Sequence, residues 1–129
     1  LARDVRHAVR GGRVPAWAAP LAEWLGLTPI ARVRADGRLK VAGGLFGRGR
    51  IPERFAAYVA RRCPRGQAWR VMVGHCDAAE DGAALLAALR QRLDVAEGWL
   101  VETGSAVGVH AGPGALVCAL QPASAEPGA

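Results

Sequence analysis

A chain of 129 residues is long enough for one domain with its own core and short for two. With 51% hydrophobic and 22% charged residues it has a globular composition, which excludes a disordered chain. Its formal net charge of +6 rests almost wholly on arginine, Lys40 being the one lysine. The arginines are scattered and alternate with apolar residues, as in Ala31-Arg32-Val33-Arg34. A basic balance admits nucleic acid, an anionic membrane or an acidic partner, but no nucleic-acid recognition motif accompanies the charge here.

In chain order, Leu1 to Arg10 reads as the end of a helix, with Val5 and Val9 on one face. Gly11-Gly12 stops it. Pro15 opens a second short helix carrying Trp17, Leu21, Trp24 and Leu25, kinked at Pro20 and ended by Gly26. Residues 28–34 and 38–42 read as two strands joined by an Asp36-Gly37 hairpin turn. The glycine- and arginine-rich stretch 43–50 reads as a loop. A helix follows over 52–62, with Phe55, Tyr58 and Val59 inward, and Pro64 and Gly66 close it.

Trp69 to Cys76 reads as a buried strand around Val71-Met72-Val73. Asp77 then reads as an N-cap, with Glu80 three residues later forming a capping-box-like pair. The helix over 78–93 carries Leu85, Leu86, Leu89 and Leu93 at helical spacing. Residues 99–102 read as a strand, 104–114 as a turn-rich stretch, and 115–120 as the last strand. These elements predict an α/β (α+β) domain over 1–120: a two-layer sandwich, with a mixed β-sheet and helices on one face. Residues 121–129 read as a flexible tail.

Cys63, Cys76 and Cys118 are odd in number and contain no CxxC pair. A disulfide framework or zinc site is therefore not expected, and a reducing cytoplasm is. No apolar run approaches the roughly 20 residues that span a bilayer, and Leu1 to Arg10 lacks the apolar centre of a signal peptide. The missing initiator Met suggests a fragment. His7 reads as an exposed helix residue and His75 as the end of a core strand, neither with metal-ligand spacing.

The most unusual stretch is Gly108-Val109-His110-Ala111-Gly112-Pro113-Gly114. Glycines let the backbone approach a ligand closely, and consecutive amides in such a turn can face an anion. The histidine adds a donor that charges near neutral pH. The chemistry suits a carboxylate or phosphate; the alternative is a plain Gly-Pro turn holding one histidine. No Ser, Cys or carboxylate pairs with His110 in a catalytic pattern, which argues against an enzyme.

Three segments, in order, resemble the C-terminal part of the DegV family. Glu102 to Ala115 is similar to that family's strand followed by a Gly-x-His-x-Gly-Pro-Gly turn, with Ala111 where the family has Thr. Arg10-Gly11-Gly12-Arg13 and Leu25-Gly26-Leu27-Thr28-Pro29-Ile30 resemble its basic-Gly-Gly-Arg segment and strand entry, with Thr28 in place of the usual Lys. Asp36-Gly37 and the basic loop at Arg48-Gly49-Arg50 resemble its hairpin and Val-Arg-x-Arg loop.

The resemblance implies a long-chain fatty-acid-binding protein, here without the N-terminal domain that would complete the site. It implies a non-catalytic subunit that presents the fatty-acid carboxylate to a separate ATP-dependent kinase, with no other cofactor. It makes His110 the head-group ligand, with Gly108, Gly112 and Gly114 shaping the turn and Arg13 in support. Trp17, Leu21, Trp24, Leu25, Leu27 and Ile30 are candidates for the acyl pocket, with ordinary core packing as the competing assignment. Arg48 and Arg50 are candidates to face the kinase. Burial of the acyl chain at ~0.8 kcal/mol per CH₂ would dominate affinity, while the carboxylate needs donors to offset its desolvation. The alternative is a basic nucleic-acid-binding or protein-interaction domain without a lipid ligand.

Overall fold

A computed structural model describes residues 24–104 and 111–124. Its centre is the strand β3 (Ala68–His75), in which Trp69, Val71 and Val73 are buried while Met72 between them is exposed. That alternation belongs to a strand with one face on a core. β3 pairs in parallel with β4 (Asp94–Glu102) and antiparallel with β5 (Leu116–Pro122), giving a mixed sheet of order β4-β3-β5. A parallel pair needs a long crossover, supplied here by the helix α2 (Ala79–Arg90). Leu85, Leu86, Ala88 and Leu89 are the buried hydrophobics of α2, and Leu85, Leu89, Leu116, Val71 and Val73 are fully buried. Each such side chain stabilises the fold by about 1.5–3 kcal/mol.

The helix α1 (Ile51–Ala60) packs beside α2 and adds Ile51, Phe55 and Ala56 to the same cluster. The first strands, β1 (Thr28–Val33) and β2 (Leu39–Leu45), form a separate antiparallel hairpin. Its base is anchored by Ile30 and Leu45 in the core. The expected two-layer α/β arrangement is present: helices on one side, a mixed sheet beneath. The hairpin stands as a sheet of its own among the described residues.

Asp36-Gly37 makes the turn that was expected. Gly37 has φ 80°, and Asp36 Oδ1 accepts from the Arg38 amide at 3.0 Å. Other boundaries differ from the sequence reading, for physical reasons. Residues 43–45 belong to β2 and not to a loop. Gly43 and Gly44 are there for close approach: a Cβ on Gly43 would lie 3.1 Å from the Tyr58 ring, and one on Gly44 would lie 2.6 Å from Leu27. β4 starts at Asp94, five residues before the expected strand. Its Gly98 sits under Leu86 and Arg90 of α2, so this glycine also admits a neighbour and does not turn the chain.

The helices span 51–60 and 79–90: the first starts one residue before and ends two before the expected bounds, and the second is shorter at both ends. The capping box at Asp77 does not form. Ala78 is the N-cap without a side-chain cap bond, and Asp77 takes a left-handed φ of 48°. His75 Nδ1 instead accepts from the Ala78 amide at 3.2 Å, which closes the turn into α2. β5 runs on through Gln121 and Pro122, two residues into the expected tail. No described helix is long and apolar enough to cross a membrane.

Candidate functional site

The exits of β3 and β4 meet the entry of β5 at one end of the sheet. In sheets with parallel strands, ligand crevices open outside the carboxyl ends of those strands. Three loop segments are fastened there by backbone bonds. The Gly114 amide donates to the Cys76 carbonyl at 2.8 Å, and the Cys76 amide donates to the Ala115 carbonyl at 3.0 Å. The Thr103 amide donates to the His75 carbonyl at 2.8 Å, and the Thr103 hydroxyl donates to the same oxygen at 3.0 Å.

Gly112 and Gly114 both need a glycine conformation, with φ of 76° and 83°. Gly112 is buried, and the Ala115 amide donates to its carbonyl at 3.3 Å. The Gly-Pro-Gly half of the singled-out turn is therefore locked onto the end of the central strand. Gly108 and His110 lie outside the described residues, as do Arg13, Trp17, Leu21 and the helices read over 1–23.

Thr103 lies within the segment Glu102 to Ala115 and was not among the residues the sequence singled out. It lies on the sheet face away from the helices, where Gly74 opposes it. A Cβ on Gly74 would come within 2.7 Å of Thr103 Cγ2, so Gly74 makes room for Thr103. The same face carries Met72, Trp99, Val101 and Val117, all more than a third exposed. Arg70 and Glu97 pair at 3.1 Å toward its other end. The signal available in the sequence was a glycine that follows the apolar run Val71-Met72-Val73 within the strand.

The remaining candidates separate. Ile30 is 3% exposed and belongs to the core. Leu27 is half-buried against Gly44, whereas Trp24 and Leu25 stand exposed before β1. Arg48 and Arg50 are exposed in the loop between β2 and α1, and Arg50 holds a left-handed φ of 53° as the N-cap of α1. Such a conformation in a non-glycine residue carries local strain. A Cβ on Gly26 would lie 3.5 Å from the Gly47 backbone, which puts the Trp24 segment beside this loop.

His75 is buried at the end of β3 as expected, its ring between the turn and Gly82 of α2. Cys63, Cys76 and Cys118 are free thiols. Burial, with Cys63 nearby, pushes the Cys118 thiol up to about 12, and burial also raises that of Cys63. A thiol held protonated in this way is a poor nucleophile. No group of three or more His, Cys, Asp or Glu residues is placed to hold a metal ion among the described residues.

Fold and site together define an α/β domain in which the Gly112-Pro113-Gly114 turn is bonded to the carboxyl end of a parallel strand pair. The chain belongs to the DegV family, whose model, described as "Uncharacterised protein, DegV family", matches residues 1–123. It is similar in structure to a DegV lipid-binding protein from Thermotoga maritima (TM-score 0.76, 21% identity, 95% of this chain and 41% of that one). It is similar to a DegV-family protein from Thermus thermophilus described for fatty-acid binding (TM-score 0.68, 25% identity, 94% and 43%). A DegV-family protein from Eubacterium eligens loaded with heptadecanoic acid also aligns (TM-score 0.71, 17% identity, 91% and 42%). The chain thus spans about two fifths of the length of these structures. No match emerges among curated proteins.

Proposed function

We propose that this chain is the C-terminal part of a fatty-acid-binding protein of DegV type, with His110 gripping the carboxylate of a long-chain fatty acid. The observation that carries the reading is the glycine-rich turn bonded to the exit of β3, in a chain of a family whose solved members include fatty-acid complexes. A carboxylate taken out of water must meet donors. A histidine and the amides of a glycine turn supply them, while the acyl chain supplies most of the affinity through apolar burial. Gly108, Gly112 and Gly114 shape the turn, and Arg13 adds positive charge.

In this reading the protein performs no chemistry. It holds the acid in an orientation that a separate kinase can phosphorylate in the cytoplasm, with Arg48 and Arg50 toward that partner, and it needs no cofactor. In this reading a further half, N-terminal to these residues, closes the other wall of the cavity.

The test is mass spectrometry of organic extracts from the protein purified with an N-terminal DegV half ahead of Leu1. A saturated or monounsaturated long-chain acid is expected, with retention at least about tenfold lower in His110→Ala, since a charge-assisted hydrogen bond contributes ~1.5–3 kcal/mol. An extract without acyl chain, together with unchanged behaviour of His110→Ala, refutes the reading.

A further inference from the structure

The β1–β2 ribbon has two faces of opposite character, both in water. From Ala31 to Ala42 every residue is exposed. The register pairs Ala31 with Val41, Arg32 with Lys40, and Val33 with Leu39. The Arg34 amide donates to the Arg38 carbonyl at 2.8 Å, so pairing continues through Arg34 and Arg38. Partners across a ladder share a face, and successive residues alternate. One face is therefore Arg32, Arg34, Arg38 and Lys40. The other is Ala31, Val33, Leu39 and Val41, with Val33 63%, Leu39 46% and Val41 54% exposed.

Both faces are unfavourable in water. Like charges directly opposite each other across a ladder repel, and here they do so twice. Among the described residues, Asp36 reaches Arg34 only at 3.9 Å on the surface, a contact of little worth. The ribbon is nonetheless held in place. The register shift at Ile30/Ala31 leaves Ala42 as an extra residue, and its carbonyl accepts from the Tyr58 hydroxyl at 3.0 Å. Ile30 and Leu45 fix the base in the core.

We propose that this ribbon docks the protein on an anionic bilayer surface. The aliphatic face enters the headgroup–acyl boundary, and the long cationic side chains reach the phosphates around it. A protein partner covering one face would leave the other in water, whereas a lipid–water interface serves both at once. The apolar face is made of small aliphatic residues and lacks the Trp, Tyr and Arg anchors that concentrate binding energy between proteins. Each cation held near an anionic leaflet strengthens attachment about fivefold. The proposal stands on the ribbon and not on the acyl-chain reading, so vesicles free of fatty acid test it separately.

The experiment is co-sedimentation of the whole chain with vesicles of phosphatidylcholine alone and of phosphatidylcholine with phosphatidylglycerol. Binding is expected to the anionic vesicles, weakening as salt rises. Arg32→Glu/Lys40→Glu should lose at least about 25-fold. Arg65→Glu/Arg92→Glu makes the same change in net charge outside the ribbon and should bind nearly as the parent does. Val33→Asp/Val41→Asp, with thermal melts to show an intact core, should also release the chain. Equal binding to neutral vesicles, or equal loss in the two charge-reversal variants, overturns the proposal. A dimer in vesicle-free solution that Val33→Asp/Val41→Asp dissolves also overturns it, because the apolar face would then pair two copies.

Discussion

Gly74 and Thr103 form a coupled pair that a double-mutant cycle can isolate. Gly74→Ala places a methyl group 2.7 Å from Thr103 Cγ2, closer than real Cβ contacts allow. Thr103 cannot swing aside freely. Its hydroxyl and amide both donate to the His75 carbonyl, at 3.0 and 2.8 Å, and its side chain is β-branched. Overpacking of this kind costs about 1–3 kcal/mol. Replacing a strand glycine recovers about 0.5–1 kcal/mol of backbone entropy. The net loss expected for Gly74→Ala is therefore roughly 0.5–2 kcal/mol. Thr103→Ser removes the offending methyl and keeps the hydroxyl. In that background Gly74→Ala should be neutral or stabilising by up to about 1 kcal/mol. Urea unfolding of the four proteins measures this as shifts of the midpoint at constant slope. The neighbouring Val117 Cβ lies at an ordinary 3.6 Å and should not restore the penalty. If Gly74→Ala costs the same with Thr or Ser at position 103, the pair is not coupled and Gly74 is not there to seat Thr103.

Two further outcomes follow from the geometry at and near the site. Gly114→Ala puts a side chain on a residue with φ 83° and should cost about 1–2 kcal/mol in urea unfolding, whereas Gly104→Ala, at which a Cβ meets nothing within 4 Å, should stay within about 0.5 kcal/mol of the parent; equal effects would remove the need for glycine at 114. Because the Cys118 thiol is raised from 9.0 to about 12 in the fold, the unfolded chain releases that proton first as pH climbs. Its contribution is full below pH 9 and falls by at most about 1.4 kcal/mol per pH unit until the folded thiol also ionises near 12. Cys118→Ala should flatten the alkaline limb of stability against pH, and an unchanged limb would show that the thiol is not held protonated.

The elements legible in the sequence were those whose local signals agreed with their packing. Asp36-Gly37 both favours and makes the hairpin turn, and the leucines of α2 recur at the spacing that buries them. The errors share a cause. Gly43, Gly44 and Gly98 look like chain breakers, yet each serves to let a distant side chain approach the backbone: Tyr58, Leu27 and Leu86 with Arg90, respectively. A single sequence carries no mark that separates a glycine for turning from a glycine for proximity. Asp77 shows the same limit from the other side. It has the right type and spacing for a cap, but the fold gives it a left-handed conformation and assigns its task to His75, which strand β3 delivers to the same turn.

The site was half legible for a related reason. The candidate histidine and glycines are contiguous in sequence, so a chemical reading of one stretch finds them. The bonded partners at this junction lie at the ends of other strands, about 28 to 39 residues apart in sequence, and only pairing brings Cys76 to Gly114 and Ala115 and brings Thr103 to His75. These bonds fix where the turn leaves the sheet. Gly74 then decides whether Thr103 can lie flat beside it, on the side away from the helices where Trp99, Val101 and Val117 remain exposed. A junction of this kind is a property of three strands in register. It follows that, if the proposed acyl-chain reading holds, Gly74→Ala should lower the fatty acid recovered by mass spectrometry although it lies far from His110 in sequence, because it moves the bonded junction from which the turn leaves the sheet.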